Sequence, residues 1–180
     1  MTTNIFDKLS QIFKIELSAD ELKTDFIKII GREHNLRSEK WIRKDYINGP
    51  DNLYGYKVIL PKSNGSGAIG EVLSTPLIGE PLIGHTQTFI SVGNFSTYEE
   101  AVACLKYIKT KFARTMLGIL KITQHNPKAT WTFVPNQDFT PSSDIDWSQS
   151  IENIDKQLYK KYNLSQDEID FIESKVRAMD

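Results

Sequence analysis

The spacing of apolar residues changes period several times along the chain, and each change marks an element. Ile5, Leu9, Ile12 and Phe13 share one face of a short helix, and Ser18 with Glu21 has the capping-box spacing of a short turn after it. "DFIKIIG" then alternates and is rich in β-branched residues, which predicts a strand. Between Arg32 and Asn52 the chain is polar and basic, and Trp41, Ile42, Tyr46 and Ile47 supply its apolar content; it reads as a loop with a short helix or strand. From Tyr54 to Val92 the runs "YGYKVILP", "GEVLST" and "TQTFISVG" are strand-like, separated by the turn clusters "KSNGSG" and "PLIGEPLIGH". No helical spacing falls between them, which predicts antiparallel pairing.

Ser96 and Glu99 then stand in capping-box register for a helix from about Thr97 to about Ile119. Ala101, Leu105, Ile108, Phe112, Met116 and Ile119 fall on one face, with Lys106, Lys111, Arg114 and Lys121 on the other, so a core helix with a basic back is expected. "ATWTFVP" reads as one more strand. "SQSIENIDKQLYKKY" carries Ile151, Ile154, Leu158 and Tyr162 on one stripe, and "SQDEIDFIESKVRAM" opens with the capping pair Ser165 and Glu168. These predict an antiparallel helical hairpin turning at Asn163 and Leu164. The expected fold is therefore α+β: a mainly antiparallel sheet, one long packed helix over about 97–119, and a C-terminal helical hairpin. Residues 1–140 form the expected main domain, with 141–180 packed on it.

At 180 residues, 39% hydrophobic and 25% charged, the chain can bury one core. It has no run of about 18 apolar residues to cross a bilayer, and its first residues lack the pattern of a secretory leader. The lone Cys104 falls within a helical pattern and is expected to be a buried structural thiol in a reducing, cytoplasmic setting. The net charge of -1 conceals an asymmetry. Residues 1–121 carry 16 basic against 13 acidic side chains, and residues 122–180 carry 6 against 10. The basic excess lies between Phe26 and Lys62, as on a surface that meets a polyanion.

"KSNGSGAIGE" spells G-x-G-x-x-G with Gly65, Gly67 and Gly70, directly after a strand. A dinucleotide fingerprint needs a helix next, and "EVLSTPLIGEP" with its two prolines cannot supply one. Nor is there a Gly-Lys-Ser/Thr step for a phosphate loop. What is left is a small-residue turn between strands. His34, His85 and His125 are scattered without metal-ligand spacing, and one cysteine makes no zinc site. Asp51 after Pro50, with Glu173-Ser174-Lys175, superficially matches the acid and E-x-K pieces of a metal-dependent nuclease. Trp41 stands among Arg37, Lys40, Arg43 and Lys44, an arrangement suited to a nucleic acid.

Three stretches carry a family resemblance: "YKVILPKSNGSGAIGEVLSTPLIGEP", "TQTFISVGNFSTYEEAVACLKYIKTKFARTMLGILKITQ" and "FVPNQDFTPSSDIDWSQSIENIDKQLYKKYNLSQDEIDFIESKV". Together they resemble the C-terminal region of adenine-specific DNA methyltransferases of bacterial restriction-modification systems, including the fused methylase-endonucleases of type II G. The resemblance spans about Phe26 to Met179 and implies a TaqI-like target-recognition domain. The Asn-Pro-Pro-Tyr type of motif that positions the adenine is missing, and "HNPKA" does not match it. The resemblance therefore implies a recognition part without catalytic residues, cofactor or metal. S-adenosylmethionine would be bound by a catalytic methyltransferase domain or subunit, either as the rest of a longer protein or as a separate polypeptide. Double-stranded DNA is the implied partner, with Lys62, Asn64, Ser66, Arg37, Lys40, Arg43 and Lys44 as contacts, joined by Lys109, Lys111 and Arg114 of "YIKTKFAR". Two other readings stand beside it: a metal-dependent nuclease using Asp51 and Glu173, and a docking module for a catalytic subunit that uses the acidic hairpin.

Overall fold

A computed structural model of the chain describes residues 1–21, 23–63, 68–121, 123, 125 and 128–179. The fold is α+β. Two three-stranded sheets are present: β1 (Phe26–Glu33) lies between β2 (Leu36–Arg43) and β5 (Ile83–His85), and β3 (Tyr56–Pro61) lies between β4 (Leu77–Gly79) and β6 (Phe89–Phe95). All pairs are antiparallel except β1 with β5, which run parallel over three residues. The exception arises because Glu80 to Leu82 carries the chain from the second sheet across to the edge of the first. Leu82 makes that crossing at a φ of 64°, and its N–H is held by Leu53 O at 2.8 Å.

The basic stretch, expected as a loop with a short helix or strand, is mostly strand β2. Its hairpin with β1 closes through His34 and Asn35, at φ of 46° and 65°. Two successive positive φ values are what a two-residue turn needs to follow the twist of its strands. His-Asn is not the usual signature of such a turn, so the hairpin is not apparent in the sequence. Two other strand expectations fail. "GEVLST" contains no strand, and the pairing falls on the expected turn cluster as β4 and β5; "ATWTFVP" forms a 3₁₀ turn, Lys128–Trp131. β-branched composition alone does not make a strand where no partner edge is open.

Packing proceeds in layers. Phe6 of the short helix α1 (Ile5–Lys8), with Phe13, covers Ile27, Ile29 and Ile42 on one face of the first sheet. Ile30, Ile59 and Phe89 join the two sheets. On the far side of the second sheet, Val58 and Leu60 meet Cys104 and Ile108 of helix α2 (Tyr98–Lys109) and Leu117 of helix α3 (Lys111–Leu120). Burial pushes the Cys104 thiol up to about 12, leaving it a protonated core residue. The last two helices, α4 (Ile151–Lys161) and α5 (Gln166–Lys175), lay Ile154, Leu158 and Ile172 on Phe112 and Ala113 of α3. Ser165 and Glu168 form the expected capping box.

The single helix expected over about 97–119 is two. Its capping box is one residue later than expected, with Thr97 and Glu100, and the chain breaks at Thr110 (ψ 150°). The break leaves α3 with four N–H groups to satisfy. Asp155 of α4 accepts those of Lys111 and Phe112, both at 2.9 Å; the Thr110 hydroxyl accepts that of Ala113, and the Thr110 carbonyl that of Arg114. Burial pushes the Asp155 carboxyl up to about 6 in spite of its two backbone donors. A second buried charge, Lys57 at 1% exposure, gives its ammonium to the carbonyls of Leu53, Gly55 and Glu80, and burial lowers it to about 8.

Asp155→Ala strips two buried N–H groups of their acceptor and should cost about 2–4 kcal/mol at neutral pH, read from the urea midpoint. The pH dependence has a definite sign. Because the folded carboxyl titrates above its ordinary value of 3.8, its contribution is fully present below about pH 4 and declines as pH rises through about 6. The stability difference between wild type and Asp155→Asn should narrow across that window.

Candidate nucleic-acid interface

Residues opposed in the β1–β2 register share a face of the hairpin. On one face Lys28 opposes Trp41, Ile30 opposes Glu39, and Arg32 opposes Arg37. Ile30 is covered by the second sheet, whereas the β2 side of this face stays open at Arg37, Glu39 and Arg43. The Lys28 ammonium lies 5.2 Å from the Trp41 ring centre and 3.1 Å from Glu39. Arg32 and Arg37 are like charges directly across a ladder, an arrangement that costs stability unless an anion joins them. Neither pairs with a carboxylate among the described residues. Arg32 donates to Asn35 Oδ1 at 2.9 Å, and Arg37 to the carbonyl and hydroxyl of Thr75, both at 3.1 Å.

Arg37 also lies over the Phe89 ring at 5.4 Å, and Phe89 is the residue paired with Pro61 at the end of β3. Lys62 follows immediately, exposed, its N–H on Thr88 O. Two of the residues singled out in the sequence therefore adjoin the Thr88–Phe89 end of β6, Arg37 through its side chain and Lys62 through its backbone. Asn64 and Ser66, with Gly65 and Gly67, lie outside the described residues. Of the three motif glycines Gly70 is described, and it has two structural reasons to be glycine: a φ of 70°, and a Cβ position that would fall 2.3 Å from a methyl of Val176. Among the described residues no helix lies between 68 and 79.

The remaining cations divide. Lys40 points to the opposite face, over Phe6, where its ammonium bonds Glu33 at 2.6 Å and holds that carboxyl below the usual carboxylate range. Arg43 is exposed and forked onto Asp45; Lys44 is exposed in the next turn. Lys111 is paired with Glu173, and Lys109 lies in the last turn of α2, its carbonyl accepting from Arg114.

Arg114 is the clear correction. It is 2% exposed, and its guanidinium bonds the carbonyls of Lys109, Thr110, Gly70 and Arg177, so it serves the core rather than a phosphate. The expected basic back of the helix is in fact an inward face. Gly118 lies against the backbone of Ile69, Lys121 pairs with Glu71 at 2.7 Å, and Lys106 caps the carbonyls of Trp147, Ser148 and Gln149. Residue type signalled solvent, but carbonyls and carboxylates of other segments supply the partners.

The other candidate chemistry separates as well. Asp51 stands beside Leu53 in the cluster under the first sheet, while Glu173 follows Ile172 in the helical cluster and takes bonds from Lys111 and the Tyr159 hydroxyl. His34, expected without a ligand partner, is brought with Asp7 and Glu33 to within 4.8 Å. Glu33 already holds the Lys40 ammonium there, so the trio reads as part of an ion pair. Sequence reasoning missed Arg32; its signal was the strand alternation Lys28, Ile30, Arg32. No described helix is long and apolar enough to cross a membrane.

The chain matches no family model, no curated protein and no solved structure.

Arg114→Lys keeps the charge but cannot span four carbonyls with one ammonium. It should lower stability by about 2 kcal/mol, seen as an earlier denaturation midpoint with little change in the spectrum of the native state.

Proposed function

We propose that this chain is a recognition module for double-stranded DNA, and that the open face of the β1–β2 hairpin is its contact surface. The observation that carries the proposal is the cross-strand pair Arg32 and Arg37, two guanidiniums without a carboxylate partner among the described residues. An anion placed between them relieves their repulsion, and the planar guanidinium fork suits phosphate oxygens or the O6 and N7 of guanine. A two-stranded ribbon is narrow enough for the major groove. Trp41 and Lys28 extend the surface along the ribbon, and Lys62 flanks it with a charge suited to the phosphate backbone.

In the finer form of the proposal the module supplies target recognition to an adenine methyltransferase or methylase-endonuclease, whose separate catalytic part binds S-adenosylmethionine. The division of roles then follows from chemistry: Arg32 and Arg37 read or clamp, Lys62 positions, and methyl transfer takes place elsewhere. The acidic helix α5 would repel phosphate, which leaves the C-terminal hairpin to meet the catalytic part in this reading.

Fluorescence anisotropy with a mixed-sequence duplex tests the surface. Binding should weaken as salt rises, and Arg32→Ala with Arg37→Ala should reduce both affinity and the salt slope, the latter by about 1 for each phosphate that is no longer neutralised. Lys156→Ala, on the exposed side of α4, should leave both unchanged. Equal binding by the double variant and the wild type would remove the hairpin from the interface, and no binding at low salt would sink the proposal.

A further inference from the structure

Thr75 carries backbone strain that its own sequence does not ask for. Its φ is 34°, and among the five described non-glycine residues with positive φ it alone is β-branched. Such side chains seldom enter the left-handed region, because Cβ crowds the following carbonyl. Pro76 comes next, and a residue before proline is itself pushed toward extended geometry. A strained conformation of this kind persists only where surrounding contacts hold it. The chain is anchored on either side: Leu73 is buried with its N–H on Met179 Sδ at 3.4 Å, and Leu77 is paired with Ile59 in the second sheet. Thr75 between them is exposed.

What holds Thr75 is Arg37, 38 positions earlier. Its Nη2 donates to the Thr75 carbonyl and hydroxyl, both at 3.1 Å, and these are the hydrogen bonds of Thr75 among the described residues. The choice of nitrogen matters. A guanidinium grips two oxygens of an anion side-on, through Nε and Nη2, as Arg43 grips Asp45, or end-on, through Nη1 and Nη2. Nη2 belongs to both grips. Arg32 is not held in this way: its bond to Asn35 uses Nη1, which leaves the side-on pair open.

We propose that Thr75 is an internal competitor for Arg37: the strained segment 74–76 occupies the guanidinium in the free protein, and a phosphate of bound DNA displaces it and releases Thr75 to extended geometry. The proposal rests on the reading that the Arg32–Arg37 pair takes an anion, and it makes that contact and the movement of 74–76 one event. The bonds to Arg37 favour the held form and the left-handed backbone opposes it, so their difference sets how readily an anion takes Arg37. Thr75 offers two neutral acceptors. A phosphate offers charged oxygens, which a guanidinium binds more strongly, so the exchange runs toward DNA.

Two substitutions at Thr75 should move duplex affinity in opposite directions, read by fluorescence anisotropy on the intact chain. Thr75→Val keeps the branch at Cβ and removes the hydroxyl acceptor, which weakens the held form; the duplex should bind about fivefold more tightly. Thr75→Asn keeps the carbonyl and a side-chain oxygen and tolerates positive φ, which strengthens the held form; binding should weaken about fivefold. In an Arg37→Ala background both differences should vanish. In the wild type, the Thr75 Cα and Cβ chemical shifts, which report its backbone angles, should move to extended values as duplex is added. Equal affinity of the two variants, a shared direction of change, or differences that persist without Arg37 overturn the proposal and leave binding by the arginine pair intact. Duplex binding that ignores Arg32→Ala with Arg37→Ala overturns both.

Discussion

The start of α3 rests on a single buried carboxylate. When the chain breaks at Thr110, a second helix begins inside the protein with bare N–H groups, and water is not there to receive them. Thr110 answers two of them, and Asp155 answers the other two from a segment more than forty residues further on, so the start of α3 depends on α4 being docked against it. Once α3 is set, Arg114, Gly118 and Lys121 all turn toward the segment 69–71 and the C-terminal tail. One anion thus orients the face that closes the helical half of the molecule.

Cations consequently have two fates. On α2, on α3 and just after it, Lys106, Lys111, Arg114 and Lys121 meet carbonyls or carboxylates of distant segments and become internal fasteners, as Lys57 does between the sheets. On the β1–β2 hairpin, Arg32 and Arg37 meet only an amide oxygen, a carbonyl, a hydroxyl and a ring among the described residues. The first group has had its charge answered, and the second has not. That contrast, more than the count of basic residues, is what separates a structural charge from one available to a partner.

Much of the architecture was legible. The strands around Ile29, Ile59 and Ile90 announced themselves through β-branched runs, and the helices of the C-terminal hairpin through an apolar stripe and a capping pair. Other parts failed for definite reasons. "GEVLST" has strand composition, yet Arg37 and Lys121 hold the segment from either side, and no strand among the described residues offers it an edge. His34 and Asn35 make a tight hairpin without the usual turn residues, so the stretch that carries Arg37 read as a loop with a short helix or strand and not as the second arm of a hairpin.

Local spacing determined the class of fold, the helical hairpin and the inward place of Cys104, because each depends on residues close enough in sequence to share a face or a turn. Tertiary structure alone decided the break at Thr110, the burial of Arg114, and the opposition of Arg32 and Arg37. Each of these depends on what a distant segment brings, or fails to bring, within hydrogen-bonding reach. Sequence spacing can say which way a side chain leaves its helix or strand, but not whether it finds a partner there.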